Sequence, residues 1–232
     1  MILEICANSF ESAFAAQKAG ADRIELCTEL SVGGLTPSFG LLEKVLVELT
    51  IPVHVLIRPR SGNFTYSQSE IDVMLRDIET CKELGCDGIV SGALTEDLEI
   101  DLEVTTLLKE TSDGMEFTFH RAFDWTRNPI KALKQLKTLN VTRLLSSGQK
   151  SSAVAGITLL KELHNIAGSI IQVMPGGGIN LTNCLQFREA GFEMLHCSAT
   201  QKIQTLTQAP NVSMHSSSFF EEEIVATSNE KT

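Results

Sequence analysis

Three turns of one pattern constrain this chain more than any other feature. Ala19-Gly20-Ala21-Asp22, Leu84-Gly85-Cys86-Asp87 and Ala190-Gly191-Phe192-Glu193 each place a glycine just past a helical stretch and just before a strand-like one. Glycine takes the left-handed backbone of a helix C′ position at little cost, so each turn reads as a handover from helix to strand. Apolar periodicity extends the pattern along the chain. Strands are expected to begin near Leu3, Arg23, Val53, Gly88, Glu116, Arg143, Ile170 and Glu193, with helices over 9–19, 38–49, 67–84, 102–111, 129–139, 153–166 and 181–190 between them. Eight βα units in 232 residues, 43% of them hydrophobic, predict an α/β fold closed into a (β/α)8 TIM barrel. A doubly wound sheet is the alternative, but no switch point is visible.

Residues 1–200 are expected to form that single barrel domain, and 201–232 a partly irregular C-terminal tail. Gln208-Ala209-Pro210-Asn211 and Ser216-Ser217-Ser218 break the periodicity, and only 221–226 offers the start of a short helix. The eighth outer helix is therefore expected to be missing or reduced. A formal charge of −10 and a pI near 5.0 argue against a nucleic-acid surface. The start Met1-Ile2-Leu3-Glu4 has neither the basic nor the apolar part of a signal peptide, and no apolar run is long enough to span a bilayer. Six cysteines without a CxxC pair read as free thiols. The expected address is the cytoplasm, with the nucleus as a second one.

Two neighbouring units carry nearly the same strand, Leu3-Glu4-Ile5-Cys6 and Ile24-Glu25-Leu26-Cys27. Alternation puts Glu4 with Cys6, and Glu25 with Cys27, on one face. Taken singly, each cysteine suits core packing. On adjacent strands, however, equivalent positions bring Cβ atoms to about 5 Å, and two thiolates at that separation can bridge a soft ion, Cu(I) rather than zinc. Functional groups of such barrels gather at the C-terminal strand ends. There Glu4, Glu25, His120 and Asp124 are candidates for acid–base work, with Arg58 and His120 as the expected partners of the glutamates. Arg58, Arg60, Ser147 and the run Gly176-Gly177-Gly178 are candidates for holding a small anion at a helix N-terminus. His196 and Ser198 share one face of the last strand, so Cys197 points the other way, toward the helices. His54 and His164 read as structural or surface residues, and Trp125 as packed under its loop.

Six stretches in collinear order are Leu-Glu-Ile-Cys (3–6), Gly-Ala-Asp-Arg-Ile-Glu-Leu-Cys (20–27), Gly-Gly-Leu-Thr-Pro-Ser (33–38), Ile-Arg-Pro-Arg (57–60), Thr-Phe-His-Arg-Ala-Phe-Asp (118–124) and Ser-Ser-Gly-Gln-Lys (146–150). Together they resemble the CutC copper homeostasis protein family over roughly 1–199, and Met174–Ile179 and His196–Ala199 look like its animal branch. The resemblance implies a (β/α)8 barrel, an intracellular location, self-association as dimers or higher oligomers, and copper handling with Cu(I) at the matching Cys6 and Cys27. It brings no established reaction. Relatives usually finish with a further helix after the 212–214 region, which this sequence lacks. Two functions therefore stand open. One is Cu(I) binding by the paired cysteines; the other is lyase- or isomerase-like acid–base chemistry on a small phosphorylated or carboxylated metabolite.

Overall fold

A computed structural model describes residues 1–208, 211–212 and 224–228. Strand and helix alternate from the start: β1 (Ile2–Ala7), α1 (Phe10–Lys18), β2 (Arg23–Leu26), α2 (Phe39–Glu48), β3 (Val53–Leu56), α3 (Gln68–Glu83), β4 (Gly88–Ser91) and α4 (Leu102–Thr111). The second half continues with β5 (Glu116–Phe119), α5 (Pro129–Thr138), β6 (Arg143–Ser146), α6 (Ile157–Ala167), β7 (Gln172–Pro175), α7 (Cys184–Glu189) and β8 (Met194–Cys197). The eight strands form one sheet in the order β7-β6-β5-β4-β3-β2-β1-β8, with neighbouring strands parallel throughout. A parallel bridge between Gly176 and His196 joins its two ends. This is the expected TIM barrel.

Helix starts follow cap chemistry. Side chains of Ser9, Ser38, Ser67, Asp101 and Asn128 each accept a hydrogen bond from the first turn of the helix that follows, and Ser67 with Glu70 forms a full capping box. Where no side-chain cap forms, the helix starts late. α6 begins after Gly156, and α7 begins after Asn183 because Asn180 holds the preceding residues in a turn through Thr182. Both are shorter than the expected 153–166 and 181–190.

Burial divides in two. Outward residues of the strands, among them Ile5, Ile24, Val55, Ile89, Phe117 and Leu144, pack with the helices into the main core. Inward residues form two small clusters inside the barrel: Cys6, Cys27, Leu56 and Val90, and then Leu145, Met174 and Met194. Barrel interiors are usually filled by branched apolar side chains. Most of the remaining interior positions here are charged or polar, among them Glu4, Arg23, His54, Thr118 and Arg143.

Beyond β8 the described residues hold no eighth helix. They form instead an antiparallel hairpin of β9 (Thr200–Gln204) and β10 (Ile224–Ser228), and β10 lies beside α1. This corrects the short helix expected over 221–226. Residues 224–226 are extended, while 221–223 lie outside the described residues. Ile224-Val225-Ala226-Thr227 is β-branched at three positions, and such residues fit a pleated strand better than a helix.

Candidate functional site

Register decides what the twin strands can do. β1 and β2 do not pair sequence-equivalent residues: Glu4 lies opposite Arg23 and Cys6 opposite Glu25. The offset of two residues is barrel shear. It leaves Cys6 between Glu25 and Cys27, its Sγ 3.4 Å from the Glu25 carboxylate and 3.4 Å from the Cys27 Sγ. Both thiols are buried. Contact with the Cys27 sulfur, burial and the charge of Glu25 all push the Cys6 pKa well up, so the thiol is protonated at neutral pH.

Below the thiols, toward the N-terminal strand ends, lies an ionic layer. Glu4 binds Arg23 through one oxygen at 2.6 Å and His196 Nδ1 through the other at 2.8 Å. His54 approaches Glu116 at 3.1 Å, and Arg143 forms an ion pair with that same carboxylate. Burial pushes the Glu4 carboxyl up, but the hydrogen bond and charge of His196 and the charge of Arg23 outweigh it and hold the pKa at about 2. Burial opposes the charge on His196 too, yet Glu25 and Glu4 raise its pKa overall. The partners of Glu4 are thus Arg23 and His196, not the expected Arg58 and His120. Height along the barrel is why: Arg23 lies opposite Glu4 on the neighbouring strand, whereas Arg58 and His120 sit beyond the ends of β3 and β5, at the mouth.

Above the thiols opens a cavity of about 220 Å³. Of the residues singled out in the sequence, Cys6, Glu25, Arg58, His120, Gly177, Gly178, His196 and Ser198 line it, as does Cys197, which was expected to face only the helices; Glu4, Cys27, Arg60, Asp124, Ser147 and Gly176 do not. Asp124 is a scaffold residue. It accepts from Ser146 Oγ at 2.6 Å, Ser147 Oγ at 2.9 Å, Gln149 N at 3.1 Å and Arg121 Nε at 2.9 Å. Ser147 serves the same knot. Arg58 spends its Nη donors on the carbonyls of Val32, Gly34 and Gly62, and Arg60 pairs with Glu70 at 2.5 Å. Trp125 stands edge-on to Phe64 with its ring half exposed, rather than packed under its loop.

The structure adds His196, whose ligand atom lies within 4.8 Å of those of Cys6 and Glu25. Sequence parity already placed His196 inward on β8. What parity does not show is that β8 closes on β1 opposite Glu4, which brings the imidazole to the thiols. Glu4 takes the Nδ1 side, leaving Nε2 as the nitrogen with a free lone pair once the ring is neutral. An oriented carboxylate–imidazole pair of this kind is common behind metal-binding histidines.

Fold and site together define a parallel eight-stranded barrel carrying a thiol–carboxylate–imidazole cluster under its mouth. Comparison with known proteins gives that barrel a lineage: the profile of the CutC family matches residues 1–201. A copper homeostasis protein cutC homolog of Homo sapiens is 49% identical over 199 residues, covering 85% of this chain and 73% of that protein. A family protein CutC of Pasteurella multocida is 47% identical over 199 residues, covering 85% and 82%. A crystal structure of CutC from Streptococcus agalactiae superposes with a TM-score of 0.80 at 35% identity, covering 85% of this chain and 98% of that one. The chain belongs to the CutC family.

Proposed function

We propose that this protein handles copper in the cell by binding Cu(I) through Cys6 and Cys27, with His196 or Glu25 as a third donor. The observation that carries the reading is the 3.4 Å contact between two buried sulfurs with a carboxylate and an imidazole alongside. Soft thiolates select Cu(I), and Leu56 and Val90 pack against the two thiols inside the barrel. At metal–sulfur bonds of about 2.3 Å, linear coordination needs sulfurs about 4.6 Å apart and trigonal coordination about 4.0 Å. The second asks for the smaller displacement, which favours three donors. Copper must displace the Cys6 proton, so loading releases protons. A cytoplasmic or nuclear location and assembly as a homodimer or higher homo-oligomer complete the reading; they rest on the family resemblance.

Anaerobic titration of the reduced protein with Cu(I) against a chromophoric chelator tests the proposal. The wild type should take up one equivalent, and Cys6→Ser/Cys27→Ser should lose affinity by more than the ~100-fold that loss of an outer-shell partner costs. Equal stoichiometry and affinity in both proteins overturns it. His196→Ala should weaken binding by about 10–100-fold if the imidazole ligates or orients the site.

A further inference from the structure

Copper does not account for the upper half of the cavity. His120 is buried at 5% exposure and lines that space, yet its Nε2 has no hydrogen-bond partner among the described residues. Its other nitrogen is committed, because the backbone N–H of Ala122 donates to Nδ1 at 3.3 Å. An imidazole accepting at Nδ1 carries its proton at Nε2 when neutral. Burial and the charge of Arg58 keep it neutral, its pKa pushed down to about 3. The ring is also fixed in place, edge-on to Phe64 at 4.9 Å and to Phe119 at 6.0 Å between centroids. A buried, oriented N–H without an acceptor costs free energy of its own, which a ligand oxygen removes.

The next residue supplies a cation. Arg121 lines the same cavity with its side chain 44% exposed, and Asp124 and Ser147 hold two of its nitrogens at 2.9 and 2.8 Å. The third, Nη1, points toward Gly177, where an added Cβ would lie 3.4 Å from it, and φ is +103°. The left-handed backbone there favours glycine, and the guanidinium packs against it in ordinary contact. The mouth also contains Glu25, and Glu4 lies beneath it. With Nε paired to Asp124 and Nη2 held by Ser147, the one remaining nitrogen against those carboxylates suits a monoanion better than a phosphate dianion. By the volume of liquid water, 220 Å³ accommodates about seven waters. That is room for a short organic acid.

We propose that the cavity above the thiols binds a small 2-oxo- or 2-hydroxycarboxylate, its carboxylate on Arg121 and its neighbouring oxygen accepting from His120 Nε2–H. The site stands independently of copper, since neither His120 nor Arg121 is needed to hold the metal. It gives the barrel a second ligand on the open side of the thiols, where it covers Cys6 from solvent.

The test uses the reduced, metal-free full chain labelled with 15N at histidine. Pyruvate and lactate serve as probes, with propionate and inorganic phosphate as controls. The proposal expects pyruvate or lactate to shift the His120 Nε2–H resonance and to bind at least tenfold more tightly than propionate, which lacks the second oxygen. Arg121→Gln, with its folding checked against wild type by circular dichroism, should weaken both probes tenfold or more. It should leave Cu(I) uptake unchanged. No shift at His120 with either acid at 10 mM, or phosphate binding more tightly than both, overturns the assignment. Equal binding of pyruvate by wild type and Arg121→Gln overturns it too.

Discussion

Glu4→Gln should destabilise the fold by about 3–5 kcal/mol, the range for removing one partner from a buried ion pair. Glu4 is fully buried and answers two groups at once, Arg23 at 2.6 Å and His196 at 2.8 Å. Glutamine keeps the shape and one acceptor but no charge, so the Arg23 guanidinium loses its buried counter-ion. The penalty belongs to that stranded cation, not to the lost hydrogen bond, which alone is worth about 1 kcal/mol. Urea unfolding of wild type and variant measures it through the shift in midpoint at constant m-value. A loss under about 1 kcal/mol means that water or a rearranged Arg23 compensates, and that the ionic layer is not a cooperative unit.

The same pair sets an acid limb. The Glu4 carboxyl is held at about 2 in the fold, against an ordinary value of 4.5. The unfolded chain therefore binds more protons between those values. Stability from this group is present above pH 4.5 and is lost as pH falls toward 2. His196 works the other way: its pKa is raised from 6.5, so its contribution is full below that value and is lost as pH rises through the raised one. Glu4→Gln should flatten both limbs in stability measured across pH. An acid limb unchanged in the variant assigns the loss to other carboxylates, Glu116 first, which is also held at about 2.

How much of this was legible without coordinates follows from which physical rule each feature obeys. The barrel rests on local rules: glycines past helix ends, capping side chains before helix starts, and apolar runs of strand length. Those rules act within a few residues, so they are visible in one dimension. Pairing of Cys6 with Cys27 was legible in outline, because neighbouring strands carry them on the same face. The two-residue offset that seats Glu25 opposite Cys6 was not, because shear is set by closure of the whole ring. Closure likewise brings His196 of the last strand to Glu4 of the first. The roles of Asp124, Arg58 and Arg60 were read from residue type, and a charged side chain near a strand end looks the same whether it meets a ligand or a loop. Only the hydrogen bonds tell them apart. The hairpin after β8 obeys a β-propensity signal that short polar surroundings obscured.

Arg58 is the position where that difference is most open to measurement. Its Nη1 donates to the carbonyls of Val32 at 2.7 Å and Gly34 at 3.0 Å, and its Nη2 to that of Gly62 at 2.8 Å. One guanidinium thus ties the loop after β2 to the loop after β3, with its face 4.9 Å from the centre of the Phe64 ring. Gly33 must be glycine for the clamp to close: φ is +88°, and a Cβ would fall 3.3 Å from Nη1. Lysine keeps the charge but offers a single nitrogen, which cannot reach three carbonyls in fork geometry or stack on the ring. Hydrogen bonds to a charged group are worth about 1.5–3 kcal/mol each and are not additive when shared, so Arg58→Lys should cost about 3 kcal/mol in urea unfolding. Because the cost falls on two surface loops, protease cleavage within 28–38 and 59–66 should accelerate before global unfolding does. If Arg58 instead served only to hold an anion, lysine would retain the fold within about 0.5 kcal/mol and the loops would stay protected. The two outcomes separate a residue that builds the mouth from one that waits in it for a ligand.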